Sequence, residues 1–316
     1  MKLPLLAALA ALLIPAAAQA EDAAPCPPFE VTGTGPDLVL VPGLGSSPET
    51  WSLVKESLAK DYRLHLVHVA GFAGRPAQGD PAQVLRNTEA EIIRHLDCQK
   101  VERAAYAGHS MGGFLGLILG ADHPDRITRV VVVDSLPFFP LIFNPGATVA
   151  SSTRIAEDTR IGLLAQDRES FAEGQRRGVL SLVQAPGDQA RVADWTIASD
   201  RASFAGAIHA LMTTDMRARL PEVKVPVRVI AATNPYAPRA GRTAVSHRLC
   251  GHARHAADHH RRCFPLHHVR SARGFRTGAA GRADGRNRRA RAKTLVVAPA
   301  AVGVGVLEVG GALRFG

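Results

Sequence analysis

The sequence predicts an α/β fold, with a doubly wound, mostly parallel sheet and an inserted helical cap. Short apolar strands alternate with helices through the first half of the chain, an order typical of such sheets. Residues 130–133 are four consecutive valines, which indicate a strand buried on both faces of a parallel sheet. From about residue 136 to 220 the pattern changes to helices without strands, as expected for an insertion between two sheet strands.

The first twenty residues have the pattern of a secretory signal peptide. Lys2 forms a short basic region, residues 3–18 are apolar, and Ala18-Gln19-Ala20 fits a cleavage site. An N-terminal membrane anchor is the alternative, but the apolar run is shorter than a spanning helix needs. We therefore expect cleavage near Ala20, export to a periplasm or beyond, and no stable membrane anchor.

Export would permit disulfides, and the chain has four cysteines, of which Cys26 and Cys98 are a candidate pair that spacing alone does not establish. The other two are Cys250 and Cys263. No C-x-x-C motif or His/Cys cluster has metal-ligand spacing, so we expect no zinc site. We expect no cofactor either.

The formal charge of +10 is concentrated in one segment. Residues 239–293 carry 14 Arg and one Lys against Asp258 and Asp284, and the remainder of the chain is slightly acidic. The basic balance therefore says nothing about the partners of the α/β part. We expect a small-molecule partner there and no nucleic acid.

The first half of the chain contains alternating strands and helices. Predicted strands are 37–41, 62–69, 101–107 and 129–133, and predicted helices are 48–58, 81–95 and 111–121. His65 and His68 lie three apart on a predicted strand and so point to opposite faces, which makes them ordinary strand residues rather than a catalytic pair.

The second half begins with the predicted cap. Its helices are 153–165, 168–184, 188–198 and 202–216, and a return strand follows at 225–232. A cap supplies apolar wall to a site, for which the candidates are Phe138, Phe139, Phe143, Trp195 and Leu211. The alternative is that these side chains form only the core of the cap.

The domain organisation follows from these patterns. We predict a signal peptide at 1–20, a first core part at 21–135, a helical cap at 136–220, a core return strand at 221–238, and an irregular basic tail at 239–316.

The motif that organises the chain is Gly108-His109-Ser110-Met111-Gly112, between a predicted strand and a predicted helix. The G-x-S-x-G pattern in this position is typical of a nucleophile elbow, whose sharp turn exposes the serine hydroxyl. Gly108 and Gly112 are needed because side chains would collide in so tight a turn. Ser110, Asp134 and the glycine-rich turn at 43–46 all fall at carboxyl ends of strands, where sites of such sheets lie.

Four segments together resemble the α/β-hydrolase family and cover about residues 37–238. They are 41–47, 108–113, 133–135 and 225–227. The resemblance implies Ser110 as nucleophile and the backbone N–H groups of Leu44 and Met111 as oxyanion donors. It places the acid at Asp134, since the alternative strand end at 233–238 has no carboxylate; a strand-end aspartate that caps a turn is the other interpretation. Pro42 departs from the histidine of many relatives.

The catalytic histidine has no convincing in-frame candidate. His109 adjoins the nucleophile and should point elsewhere, and residues 239–293 lack helix or strand periodicity although seven of the thirteen histidines lie there. A sequence rich in His and Arg is also the expected product when a GC-rich gene is translated out of frame. Regrouping the codons of residues 264–276 by one base permits Ser-His-Phe-Ile-Met-Phe-Asp-Gln-Pro-Glu-Ala-Phe, with a histidine across Pro265 and Leu266. We predict a frameshift near residues 238–244.

The resemblance implies a serine hydrolase of carboxylic esters or related acyl compounds, impaired if this histidine is lost. Serine at position 110 argues against dehalogenase and epoxide hydrolase chemistry, which use aspartate there. One alternative is a catalytically inactive, exported small-molecule-binding homologue. Another is a cationic nucleic-acid or membrane-surface binder that acts through the basic tail.

Overall fold

The computed structural model describes residues 25–183 and 185–230. Six strands form one sheet in the spatial order β1-β3-β2-β4-β5-β6. The strands are β1 Glu30–Thr32, β2 Asp37–Val41, β3 Arg63–Leu66, β4 Ala104–His109, β5 Ile127–Val133 and β6 Val227–Ile230. All neighbouring pairs are parallel except β1 and β3, which confirms the predicted mostly parallel sheet.

Within the described part of the chain, seven α-helices connect the strands. They are α1 Ser52–Leu58, α2 Val84–Cys98, α3 Met111–Asp122, α4 Val149–Ala165, α5 Arg168–Val179, α6 Pro186–Ile197 and α7 Arg201–Thr213. Short 3-10 turns occur at Pro48–Trp51, Pro81–Gln83, Phe139–Ile142 and Leu220–Glu222. No helix within residues 25–183 and 185–230 has both the length and the apolar character needed to cross a membrane.

The valines of β5 alternate between two cores, as their sequence predicted. Val130 and Val132 pack in the larger core with helices α2 and α3, while Val131 and Val133 pack in the smaller core with helix α1. All four are buried. Burial on both faces is what makes an uninterrupted apolar strand favourable at this place in the sheet.

Several boundaries differ from the predicted ones. The predicted helices at 48–58 and 81–95 each begin with a proline-led 3-10 turn, because the proline fixes φ for a turn but supplies no N–H. Strand β3 is only four residues long, and β1 had not been predicted. The predicted helix at 168–184 ends at Val179, before a hydrogen-bonded turn.

Helices α4 to α7 lie between β5 and β6, where the insertion had been predicted. Helix α7 is not confined to a separate layer. Its Ala207 and Leu211 are buried in the larger core of the sheet, beside Phe114 of helix α3. One helix of the insertion is therefore part of the main hydrophobic core.

The segment before β1 is attached to helix α2 by a disulfide between Cys26 and Cys98. The sequence made this pair a candidate that spacing alone could not establish, and the structure joins the two cysteines. Cys250 and Cys263 lie outside the described residues, as do the predicted signal peptide and the predicted basic tail.

Candidate active site

Ser110 occupies the turn between β4 and α3 with φ of 52°, a left-handed conformation that is strained for a residue other than glycine. Its N–H donates to the carbonyl of Val133 at 2.8 Å, and its carbonyl accepts from the N–H of Phe114 at 3.0 Å. These two bonds hold the turn against the next strand and against the first turn of helix α3. The serine is thereby fixed where the strand ends.

The glycines around Ser110 are required by close backbone packing. A Cβ on Gly108 would lie 2.2 Å from the carbonyl of Gly112, and a Cβ on Gly112 would lie 2.5 Å from the carbonyl oxygen of Val41. Real Cβ atoms do not approach backbone this closely. The turn at Ser110 therefore depends on glycine on both sides, as the G-x-S-x-G pattern implies.

A second turn, at residues 43–46, lies against Ser110. The Ser46 N–H donates to the Gly43 carbonyl at 3.2 Å and closes the turn. A Cβ built on Gly43 would be 3.4 Å from the Ser110 Cβ, so the two turns are in contact. Leu44 lies in this turn, and Met111 is the first residue of helix α3, where N–H groups have no intrahelical partner.

Asp134 directly follows β5 and also has a left-handed backbone, with φ of 50°. Its N–H donates to the carbonyl of Ile230 at 2.7 Å, which anchors it to the end of β6. Strand β5 pairs with β4 so that Val133 is opposite His109. Ser110 and Asp134 thus follow paired residues on neighbouring strands.

Ser110 and Asp134 line one small cavity, whose empty space, counted together with the part open to solvent, is about 290 Å³. The cavity is mostly apolar with a few polar groups, which is the usual composition of a small-molecule site. Its lining residues are Ser110, Met111, Phe114, Asp134, Ser135, Leu136, Phe139, Ile142 and Leu211. They come from the two strand ends, helix α3, the 3-10 turn after β5, and helix α7.

Some of the residues predicted to form an apolar wall line this cavity, and others do not. Phe139 and Leu211 line it, whereas Phe138 and Trp195 do not. Phe138 is completely buried in a small cluster with Leu141, under the guanidinium of Arg217 at 4.9 Å. Phe138 is the extended residue before the 3-10 turn that Phe139 begins, and its ring lies in the buried cluster while the ring of Phe139 lines the cavity.

Two other wall candidates lie away from the cavity. Trp195 on helix α6 is half-buried, and the Arg191 guanidinium is 5.7 Å from its ring. Phe143 is 74% exposed and is not among the lining residues. The sequence missed Phe114, Ser135, Leu136 and Ile142 as lining residues. Closeness in sequence to Ser110 or Asp134 could have indicated the first three, but Ile142 lies eight residues after Asp134 and had no such signal.

None of the histidines in the described residues lines the cavity. His109 turns its Nδ1 toward Gly43, where a Cβ would lie 3.0 Å away, and this buried nitrogen has no hydrogen-bond partner among the described residues. Burial lowers the pKa of His109, and the charge of Asp134 acts in the opposite direction. The seven histidines of the tail lie outside the described residues.

A buried Asp-His-His network lies elsewhere in the sheet. Nε2 of His65 is 2.8 Å from Oδ1 of Asp37, and Nδ1 of His65 is 2.9 Å from Nε2 of His95. Burial and then the charge of His65 lower the pKa of His95 to about 4. Sequence reasoning compared His65 only with His68 and missed His95, which comes from helix α2.

No group of three or more His, Cys, Asp or Glu side chains among the described residues could hold a metal ion. The cavity at Ser110 contributes one carboxylate and two hydroxyls to its polar lining.

The comparisons with known proteins agree with this geometry. The sequence profile of the family described as alpha/beta hydrolase fold matches residues 36–256. This match covers most of the chain, and the protein belongs to the alpha/beta hydrolase family.

Its curated relatives are esterases. The pimeloyl-acyl-carrier protein methyl ester esterase of Vibrio atlanticus is 28% identical over 209 residues, which cover 63% of this chain and 76% of that protein. The enzyme of the same name from Nitrosomonas europaea is 29% identical over 221 residues, covering 67% and 82%.

Two solved structures are similar in fold. The enol-lactonase from Burkholderia xenovorans LB400 has a TM-score of 0.55 and 24% identity, with 70% of this chain and 83% of that chain covered. A hydrolase from Pseudomonas aeruginosa PA01 has a TM-score of 0.57 and 22% identity, with 69% and 80% covered.

Proposed function

We propose that this protein is a serine hydrolase of carboxylic esters that works through an acyl-enzyme on Ser110. The observation that carries the proposal is that a strained, glycine-flanked serine and a strand-end aspartate line one mostly apolar cavity. The curated esterase relatives support an ester as the substrate class.

The proposed reaction begins with attack of the Ser110 hydroxyl oxygen on the ester carbonyl carbon. A histidine takes the hydroxyl proton, and Asp134 orients that histidine and stabilises its charged form. The histidine then protonates the leaving alcohol as the carbon–oxygen bond breaks. Water, deprotonated by the same histidine, hydrolyses the acyl-enzyme and releases the acid.

The oxyanion donors in this proposal are the backbone N–H groups of Met111 and Leu44. Met111 begins helix α3, so its N–H is not used within the helix and benefits from the positive end of the helix dipole. The turn that contains Leu44 touches Ser110. Fixed backbone donors are effective because they need little reorganisation when the negative charge develops.

For the base, we propose the histidine encoded one base out of frame across Pro265 and Leu266. The shifted frame would supply what the described cavity lining does not contain. The frame-restored chain is the chain in which the segment after about residue 238 is translated in that shifted frame. Sequencing independent DNA across residues 238–244 tests the frameshift directly, since an uninterrupted present frame rejects it.

The activity test compares four proteins with p-nitrophenyl butyrate: the full chain, the frame-restored chain, and the frame-restored chain with Ser110→Ala or Ser181→Ala. We expect restoration to raise kcat/KM by about 10³-fold or more, since loss of a triad member costs several orders of magnitude. Ser110→Ala should remove this gain, and Ser181→Ala, at an exposed serine of the insertion, should not. Equal rates for the Ser110 and Ser181 variants would reject the proposal.

A catalytically inactive binding protein is the second candidate. It is favoured by the cavity itself, whose described lining has no histidine. This candidate predicts that the full chain binds esters and their product acids with similar affinity and turns over neither. Calorimetry with butyrate and ethyl butyrate distinguishes it from the hydrolase, which converts the ester.

We also propose that the protein is exported and loses its signal peptide near Ala20. The Cys26–Cys98 disulfide supports this proposal, because disulfides persist mainly in oxidising compartments. N-terminal sequencing of protein recovered from the periplasm or medium should begin close to Glu21. Recovery only from the cytoplasm with an intact Met1 would contradict export.

A further inference from the structure

The turn at residues 43–46 packs against the helical insertion as well as against Ser110. Gly45 has φ of +61°, and a Cβ at this position would lie 2.9 Å from the ring of Phe204 and 3.1 Å from Cγ2 of Thr196. Phe204 and Thr196 are both buried. A side chain at position 45 would therefore collide with helices α6 and α7, even if its backbone were tolerated.

Ser199, between these two helices, bridges them to the loops of the sheet. Its hydroxyl oxygen accepts the N–H of Ala73 at 3.0 Å and donates to the carbonyl of Trp195 at 3.0 Å. The carbonyl oxygen of Gly45 is 3.5 Å from the same hydroxyl. Ser199 is 8% exposed, and loss of its hydroxyl would leave the N–H of the half-buried Ala73 without this partner.

The start of helix α7 is anchored at a second place. The N–H of Asp200 donates to the carbonyl of Gly71 at 2.7 Å, and the Asp200 carboxylate caps the helix through the N–H of Ser203 at 2.8 Å. A Cβ on Gly71 would lie 2.4 Å from the Ser203 hydroxyl oxygen. The junction between α6 and α7 thus fits closely against the loops that follow both β2 and β3.

Phe204 is itself held from the outer side. The ring of Phe171 on helix α5 meets it edge to face, with centroids 5.8 Å apart. Farther along α7, Leu211 lines the cavity at Ser110. The same helix therefore contacts the turn at 43–46 near its start and forms part of the cavity wall near its end.

We propose that Ser199 and Phe204 are positioning residues that hold the turn at 43–46, so that the N–H of Leu44 is fixed beside Ser110. This inference rests on the proposed function for its catalytic consequence. Neither side chain lines the cavity, so they act through the turn and do not touch the substrate. The insertion then contributes to catalysis by fixing an oxyanion donor as well as by covering the site.

The expected kinetic signature follows from the role of the donor. Removal of one oxyanion-hole donor costs about 10²–10³-fold in kcat, so its displacement should cost about 10–100-fold. KM should stay within about two-fold, because the donor acts mainly on the transition state.

The first measurement is hydrogen exchange in the full chain and does not need activity. The amide of Ser46 is protected by its bond to Gly43, and it is resolved by overlapping peptides in mass spectrometry. We expect Ser199→Ala and Phe204→Leu each to speed exchange at Ser46 by about ten-fold or more, as local opening becomes easier. Gly45→Ala should do the same.

Gly187→Ala is the matched control, since a Cβ at this glycine of helix α6 meets nothing within 4 Å. It should leave exchange at Ser46 unchanged. If Ser199→Ala speeds exchange at the Ala73 amide but not at Ser46, the substitution has removed only the hydrogen bond between Ala73 and Ser199 and has not loosened the turn. If exchange at Ser46 is unchanged in both Ser199→Ala and Phe204→Leu, the proposal is overturned.

The second measurement is kinetic and uses whichever chain, full or frame-restored, hydrolyses p-nitrophenyl butyrate. A fall in kcat with unchanged KM, partly reversed when Phe204→Leu is added to Gly45→Ala, supports positioning. Faster exchange with unchanged kcat overturns it. If neither chain hydrolyses esters, the proposed function fails, and the exchange result alone decides whether the junction holds the turn.

Discussion

Two aspartates of this sheet, Asp37 and Asp134, occupy contrasting places. Asp37 begins β2 and forms a hydrogen-bonded network with His65 and His95, which are almost completely buried. Asp134 follows β5 and lines a cavity with Ser110. The first place has an aspartate and two histidines but no described serine hydroxyl beside them. The second has the proposed nucleophile and a cavity, with no described histidine in the cavity lining.

An Asp–His contact is therefore a weak sign of catalysis by itself. Burial of His65 and His95 is stable because each neutral ring finds a polar partner in the interior. At Ser110 the backbone is strained and the residue lines a cavity. Gly108 and Gly112 are needed on either side because any side chain there would collide with the backbone. These features cost stability and are typical of functional sites.

The largest expected effect distinguishes the two aspartates by activity. In the frame-restored chain, Asp134→Asn should lower kcat/KM for p-nitrophenyl butyrate by about 10³–10⁴-fold, because the histidine loses its orientation and its counter-charge. Asp37→Asn should change it by less than about three-fold. Steady-state kinetics on both variants, with circular dichroism to confirm folding, makes the comparison. Similar losses from both substitutions would show that the network, too, serves catalysis.

The next effect concerns the covalent support of the network. Cys98 is at the end of helix α2, three residues after His95, and the disulfide closes a loop with a sequence separation of 72. In the chain-entropy account, such a bridge contributes about 4 kcal/mol to the free energy of unfolding. Guanidinium unfolding of the Cys26→Ser, Cys98→Ser double variant should show a loss of this order.

The active site should be insensitive to that change, because the bridge and the cavity share no residue. Below the unfolding transition, kcat/KM of the double variant in the frame-restored chain should equal that of its parent. A stability unchanged by the double substitution would contradict the assigned contribution of the disulfide.

The third effect is a loss of stability in acid that originates at His95. Its pKa is about 4 in the folded protein, below the ordinary value of 6.5, so the unfolded chain takes up the proton first as the pH falls. The stabilisation is therefore complete above pH 6.5 and is lost progressively toward pH 4. Linkage gives a loss of roughly 2.5–3 kcal/mol over this range.

Urea unfolding at a series of pH values measures that slope. His95→Gln has no titrating ring at this position and should show a shallower dependence between pH 6.5 and 4. Parallel curves for the parent and the variant would assign the acid sensitivity to other groups, of which His65 is the nearest, since burial also lowers its pKa.

The smallest effect compares two neighbouring phenylalanines. Phe139→Leu should change the preference among p-nitrophenyl acetate, butyrate and hexanoate by about three- to ten-fold, since this ring lines the cavity. Phe138→Leu should leave that preference unchanged and instead lower stability by about 1 kcal/mol, because its ring is buried in a separate cluster. An altered preference in the Phe138 variant alone would reverse the assigned orientations.

The sequence predicted the central sheet well, because its signals are local. The valines of β5 and the G-x-S-x-G turn each constrain the backbone by their own sterics. Strand β1 was missed because three residues at a sheet edge carry too little pattern. The partner of His65 was missed because His95 is brought to it by helix packing, 30 residues later in the chain.

Local sequence patterns also could not predict that helix α7 would contact the loops of the sheet. Its small residues allow close approach to the loops and to the Pro81 carbonyl, which a Cβ on Gly206 would reach at 2.0 Å. That approach depends on which surfaces meet after folding. The order of Phe138 and Phe139 around the cavity likewise depends on the backbone direction after β5, which composition does not specify.

The most direct test of the central claim is covalent labelling of Ser110. The frame-restored chain and its Ser110→Ala variant are incubated with a fluorophosphonate, digested, and analysed by mass spectrometry. We predict a phosphonyl adduct on the peptide that contains Ser110, absent from the variant and formed about 10³-fold more slowly in the full chain, since the proposal assigns the activating histidine to the shifted frame. A frame-restored chain that folds but stays unlabelled, or that is labelled at another residue, would contradict Ser110 as the nucleophile.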